Sequence, residues 1–195
     1  MAIDQGRIEA AVVELLHAIG EDPARPGLVS TPQRIAASYA ELFAGLDEDP
    51  LEHLADAAEF TGADAVGELV LVRDIAFRST CEHHLLPFTG VAHVAYVPGA
   101  KIVGLGKLAR VVETLSSRPQ LQERLGDQIA EALERGLAPA GVLVVLDARH
   151  GCVSARGTRQ AASTTVTVAS RGTLADPATQ AGLLALVGGA SAEAP

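Results

Sequence analysis

Apolar positions recur along the chain with two different periods, and the change from one to the other divides it. Over residues 7–20, Ile8, Val12, Leu15, Leu16 and Ile19 stand at helical spacing and Gly20 follows, which predicts a helix. The Pro- and Gly-rich stretch 21–27 reads as a loop. Thr31-Pro32 reads as an N-cap with proline at the first helical position, opening a helix to about Leu46. Residues 47–66 are acidic and Ala-rich without a clear period, so a connection with room for one helical turn is expected there.

From Gly67 onward the pattern is that of strands. Residues 69–77 and 91–97 predict a strand and its partner, with Cys81-Glu82-His83-His84 between them. Gly104-Leu105-Gly106 precedes a helix over about 107–116. Ser117 and Pro119 mark the start of the next, on which Leu121, Leu125, Ile129, Leu133 and Leu137 form an apolar stripe. Gly141 leads into a buried-looking strand at 142–146, and the alternating Thr and Val of 164–168 predict a fourth. A last helix is expected over 176–187. The resulting order predicts an α+β fold, an antiparallel sheet covered by helices on one side. Three regions follow: a helical region at 1–65, the main domain at 66–188 and a frayed tail at 189–195.

Composition narrows the class of protein. A chain of 195 residues suits one ordinary domain with a sizeable core. Aromatics are 3% and Trp is absent, so that core must be aliphatic. No apolar run approaches the roughly 18 residues of a membrane span, and no basic segment followed by an apolar stretch opens the chain. Two cysteines cannot form a disulfide framework, which points to a reducing, cytoplasmic setting. A net charge of −9 argues against partners such as nucleic acid or an anionic membrane. Only two lysines are present, Lys101 and Lys107, so any basic cluster must be built mostly from arginine.

Against that background, both cysteines lie beside histidine. Cys81 and His84 stand three apart, a spacing that lets a tight turn direct both at one ion, and Cys152 follows a strand as a distant third ligand would. Catalytic zinc takes three protein ligands and keeps a fourth position for water, whose pKa it lowers towards 7. A structural site would need a fourth ligand, which His83 or His150 could supply, and a buried cysteine is often only a small hydrophobe. His83 and His150 are also the candidates for moving protons in hydrolytic chemistry. His17 and His53 read as surface residues, and His93 as a sheet-face residue.

Lys107 and Arg110 share one face near the start of their helix, after a Gly-Leu-Gly turn, and Arg156 follows Cys152 closely. Such a trio suits a polyanion, although helix-face charges are also commonly just solvated. Gln122-Glu123 falls in a first helical turn. There Glu123 either complements the helix dipole or accepts a pair of N–H donors such as guanine presents.

Together these residues resemble GTP cyclohydrolase I. The resemblance rests on Ser79-Thr80-Cys81-Glu82-His83-His84, Gly104-Leu105-Gly106-Lys107-Leu108-Ala109-Arg110 and Arg118-Pro119-Gln120-Leu121-Gln122-Glu123-Arg124-Leu125. His150-Gly151-Cys152 with Arg156-Gly157 completes the series, and Gly20-Glu21-Asp22-Pro23 and Thr31-Pro32-Gln33-Arg34 match the family's helical region. It implies a tunnelling fold, with sheets of several subunits closing into a barrel, and a homodecamer of two pentamers with active sites between subunits. By matching position, Cys81, His84 and Cys152 would bind Zn2+, His83 would be the acid/base residue at the purine, and His150 would assist later proton transfers. Glu123, with Gln122 beside it, would hold guanine. Lys107, Arg110 and Arg156 would bind the triphosphate, with Arg34 reaching it from a neighbouring subunit.

The implied substrate is GTP. Its C8 is attacked by water while His83 protonates N7, and a second hydrolysis releases formate. An Amadori-type rearrangement and ring closure then give 7,8-dihydroneopterin triphosphate, a first step towards pterins and folates. The family usually carries Ser where this chain has Gly106. A lost hydroxyl contact is worth about 0.5–1.5 kcal/mol, so altered affinity rather than lost catalysis is expected. The competing readings are a non-catalytic or altered-specificity relative that binds purine nucleotides, and a zinc-stabilised structural module. The first would be marked by loss of a zinc ligand or of His83, and neither is lost. The second would not require Glu123, Lys107, Arg110 and Arg156 to coexist.

Overall fold

A computed structural model of the chain describes residues 3–59 and 67–188. It begins with two helices, α1 (Gln5–Ala18) and α2 (Thr31–Leu42), which pack chiefly against each other as an arm. Asp4 caps α1 by accepting from Arg7 N–H. On α1, Val12 and Leu16 are buried, whereas Leu15 and Ile19 of the expected stripe stand 58% and 66% exposed. The cap of α2 is Ser30 rather than Thr31, and the helix stops at Leu42 before a 3-10 turn at Ala44–Asp47. A second 3-10 turn spans Pro50–Leu54 within the expected connection.

Strand β1 (Ala58–Glu59) pairs with β4 (Lys101–Ile102) in a small separate ribbon. The main sheet is formed by β2 (Val70–Cys81), β3 (Pro87–Val97), β5 (Pro119–Gln120), β6 (Gly141–His150) and β7 (Thr165–Gly172), in the order β5-β2-β3-β6-β7. All pairings are antiparallel except β2 with β5. Helices α3 (Leu105–Ser116) and α4 (Gln122–Leu137) lie on one face. Leu125, Ile129, Leu133 and Leu137 of α4 are at most 1% exposed, and they meet Val142, Val144 and Leu146 of β6 in the principal core. Burying each such side chain contributes about 1.5–3 kcal/mol.

Two expectations need correction. Pro119 does not begin a helix: Thr80 pairs with Pro119 and Cys81 with Gln120, and only then does α4 start, at Gln122. Pairing with β2 outweighs the local helix-start signal there, and Gln120 secures it by donating to Leu115 O and Gln128 Oε1. Nor are the helices confined to one side. Successive strand residues face opposite ways, and Ala95, Leu143 and Val145 pack with Leu183 and Val187 of the last helix, α6 (Pro177–Gly188), on the second face. The predicted tail at 189–195 lies outside the described residues. Among the described residues no helix is long and apolar enough to cross a membrane.

Candidate metal centre

Strand order brings the two cysteines together. Strands β2 and β6 flank β3 and both run antiparallel to it, so their C-terminal ends emerge at the same edge. Cys81 is the last residue of β2, a strand longer than the pattern predicts. Cys152 sits in the short helix α5 (Gly151–Ser154) directly after β6. The approach is close: a Cβ on Gly151 would stand 2.7 Å from Pro87 O, so the residue before Cys152 has to lack one. The turn after Cys81 is tied by Cys81 N–H to Leu86 O and Leu85 N–H to Cys81 O, each 2.8 Å, with Leu85 in the left-handed region.

This turn brings His84 back to the two thiols. The ligand atoms of Cys81, His84 and Cys152 all lie within 4.8 Å of one another. Cys81 is buried, Cys152 half-buried and His84 exposed. Burial and the neighbouring Cys81 push the Cys152 thiol up from its ordinary value, with Arg156 acting weakly the other way. Two neighbouring thiols with an imidazole in reach make a donor set of two sulfurs and one nitrogen that suits zinc.

The surrounding groups come from three directions. His83 is exposed beside His84, the rings 6.3 Å apart and nearly perpendicular. The pairing of Cys81 with Gln120 delivers the start of α4 to the same edge, where Glu82 N–H donates to Gln120 O and Arg124 pairs with Glu82 at 2.5 Å. His150, the last residue of β6, stacks on buried Phe88, with ring centroids 4.6 Å apart and planes 3° from parallel. Burial holds its imidazole below the usual histidine range, and the Glu123 carboxylate partly offsets this. Glu123 is exposed and opens onto a 340 Å³ cleft between α4 and β7 that Thr167 and Arg171 also line. Gln122, 2% exposed, turns inward: its amide nitrogen donates to Leu146 O and Thr165 O, and its Oε1 lies 2.6 Å from His150 Nε2.

The remaining cations are not gathered there within one chain, apart from exposed Arg156 next to the centre. Lys107 lies in the first turn of α3, whose far end, Ser116, leads into Pro119 beside Thr80. About 14 Å of helix axis therefore separates Lys107 from that end. It pairs with Asp56 at 2.8 Å. Arg110 lines a 450 Å³ hollow shared with Glu41, Glu48, Glu52 and Glu113, and Arg34 is exposed on the arm. Gly106, also in that first turn, has nothing within 4 Å of the place a Cβ would take. Of the other histidines, His93 is buried in the sheet, as its alternation suggests. His53, expected at the surface, is half-buried and hydrogen-bonds Thr114 at 2.8 Å.

Three possible metal ligands at a sheet edge, with His83 and His150 next to them in the chain, have the make-up of a catalytic rather than a structural metal site. Residues 8–188 match the family model of GTP cyclohydrolase I, and the chain belongs to that family. Proteins named GTP cyclohydrolase 1 are similar over almost the whole length. That of Leifsonia xyli subsp. xyli is 58% identical over 185 residues, 95% of this chain and 96% of the relative. Those of Halalkalibacterium halodurans and Bacillus subtilis are 53% identical over 189 residues (96% and 98% of the two chains) and 52% over 177 (90% and 91%). Among solved structures, the archaeosine synthase QueF-Like in its apo form aligns with 53% of this chain and 93% of its own, at 18% identity and a TM-score of 0.44.

Proposed function

We propose that this chain, a member of the GTP cyclohydrolase I family, hydrolyses and rearranges GTP to 7,8-dihydroneopterin triphosphate with release of formate. The single observation that carries the chemistry is the convergence of Cys81, His84 and Cys152 within 4.8 Å beside His83 and His150. Those three residues would hold Zn2+, which when bound lowers the pKa of a water towards 7 and so supplies a nucleophile at neutral pH. His83, exposed at the mouth, donates the proton that N7 of the purine needs as the bond to C8 opens. His150 moves protons in the later steps from its half-buried place over Phe88. Glu123 accepts the N1 and N2 hydrogens of guanine in a paired hydrogen bond.

Arg156 is the one phosphate-binding candidate at the centre itself. Lys107 lies nearly a helix length and Arg110 about half of one from the end of α3 that leads to Pro119, and Arg34 lies on the arm, so their role at the triphosphate belongs to a neighbouring subunit's site. The exposed edge strand β7, with Val166 and Val168 57% and 43% exposed, and the uncovered Leu15 and Ile19 of the arm support assembly of the tunnelling-fold, decameric kind. The test is incubation of the zinc-loaded protein with GTP, following formate release and pterin fluorescence with and without a chelator. Turnover that the chelator abolishes is expected. Absence of turnover by fully loaded protein would overturn the reading.

A further inference from the structure

We infer that Gln122 acts as a positioning residue, holding His150 in the tautomer with hydrogen on Nε2 and leaving Nδ1 as the nitrogen that exchanges protons with the substrate. This rests on the reading of His150 as a proton carrier, and it assigns the Gln122 side chain a role other than gripping guanine. The orientation of the amide follows from its neighbours. Its nitrogen faces Leu146 O at 3.0 Å, Thr165 O at 2.8 Å and Thr167 Oγ1 at 3.2 Å. The two carbonyl oxygens can only accept, so that end must be the NH2 group. The amide oxygen therefore faces His150 Nε2 at 2.6 Å and, having no hydrogen, obliges Nε2 to donate.

The remaining freedom of the ring is removed by packing. Phe88, 1% exposed, stacks against the imidazole 3° from parallel and fixes its plane. Gln122 is itself anchored at three places on two strands, β6 and β7, and is 2% exposed, so its oxygen cannot swing away without giving up these hydrogen bonds. Nδ1 lies on the other edge of the ring, and among the described residues it makes no hydrogen bond. A proton carrier needs one nitrogen held and one free. Here a glutamine does the holding, and a neutral amide does so without adding charge beside the metal ligands.

The test is magic-angle-spinning NMR of the full-length, zinc-loaded protein labelled with 15N-histidine. The His150 signals are assigned by their loss in His150→Gln. The expected spectrum shows neutral His150 with a protonated Nε2 and a bare Nδ1. A protonated Nδ1, or a mixture of both tautomers, would overturn the inference. In Gln122→Met, which keeps the length of the side chain without its polar atoms, the tautomers should mix. Its kcat should then fall by about 10²-fold, the scale of a misplaced catalytic group, with KM for GTP little changed. A raised KM with unchanged kcat would instead mean that the side chain binds guanine. If Gln122→Met does not fold, the wild-type spectrum alone decides. That spectrum needs no turnover, so failure of the proposed GTP activity and failure of this assignment are read separately.

Discussion

The metal edge of the sheet and the first turn of α3 both carry residues expected to touch the substrate, but one chain completes only the first. At the metal edge, ligands far apart in sequence meet because β2 and β6 run the same way on either side of β3, and the register sets Pro87 opposite Thr80. Lys107 faces outward instead, balanced by Asp56, and Arg110 shares its hollow with carboxylates. Such an arrangement supplies no anion site by itself. The possible metal ligands are thus brought together by the fold of one chain, whereas the proposed phosphate contacts of Lys107 and Arg110 are not gathered with them.

The largest break in that comparison comes from removing a ligand. Cys152→Ala should lose stoichiometric zinc, measured by elemental analysis, and with it turnover of GTP. It should keep its fold, because Cys152 is only half-buried and packs at the margin of the principal core. A variant retaining full zinc and activity would remove Cys152 from the ligand set. The next test separates the two regions between subunits. Cys152→Ala and Lys107→Ala are each expected to be nearly inactive alone. If one subunit supplies the metal and its neighbour the lysine, random mixed assemblies regain activity at about a quarter of the sites. No recovery on mixing and reassembly would show that both regions serve the same subunit's site.

What could be read in the sequence follows the same division. The stripe of α4 was legible because its period is local, and the grouping of Cys81, His84 and Cys152 because few other residues pair sulfur with imidazole so closely. The parallel pairing of Pro119-Gln120 with β2 was not, since a Ser-x-Pro signal favours a helix start and only the partner strand overrules it. The inward turn of Gln122 left no local trace either: its partners, Leu146, Thr165 and His150, lie on other strands. The distance of Lys107 from the metal depends on which way α3 runs along β2, which spacing along the chain does not encode.

A smaller effect sharpens the phosphate side. The open space around Gly106 accepts a serine without clash, so Gly106→Ser restores the hydroxyl that the family usually has there. The expected gain is about 0.5–1.5 kcal/mol, roughly 2- to 10-fold in the dissociation constant for GTP, with kcat unchanged. Titration calorimetry with the zinc-loaded protein measures it. Equal affinities would mean that position 106 does not touch the triphosphate, and would weaken the assignment of Lys107 beside it.

The smallest effect concerns the sheet between the two regions. His93 is 5% exposed and accepts from Asp74 N–H at 3.2 Å, at a bulge where Asp74 adopts a left-handed backbone. Burial pushes its pKa below the usual 6.5, Asp74 and Asp147 act against this, and Arg73 acts with it. A depressed pKa means the unfolded chain binds the proton more readily than the folded one. The neutral ring therefore costs nothing above pH 6.5, and stability declines as pH falls from there through the lower folded value. In a chain of this size 1 kcal/mol moves Tm by about 2–4 °C, so the slope should be gentle. His93→Gln, uncharged at every pH, should flatten Tm between about pH 6.5 and 5 relative to the wild type while leaving zinc content alone. An unchanged slope in that variant would place the acid sensitivity elsewhere, and a loss of zinc would mean that this part of the sheet is mechanically coupled to the metal edge after all.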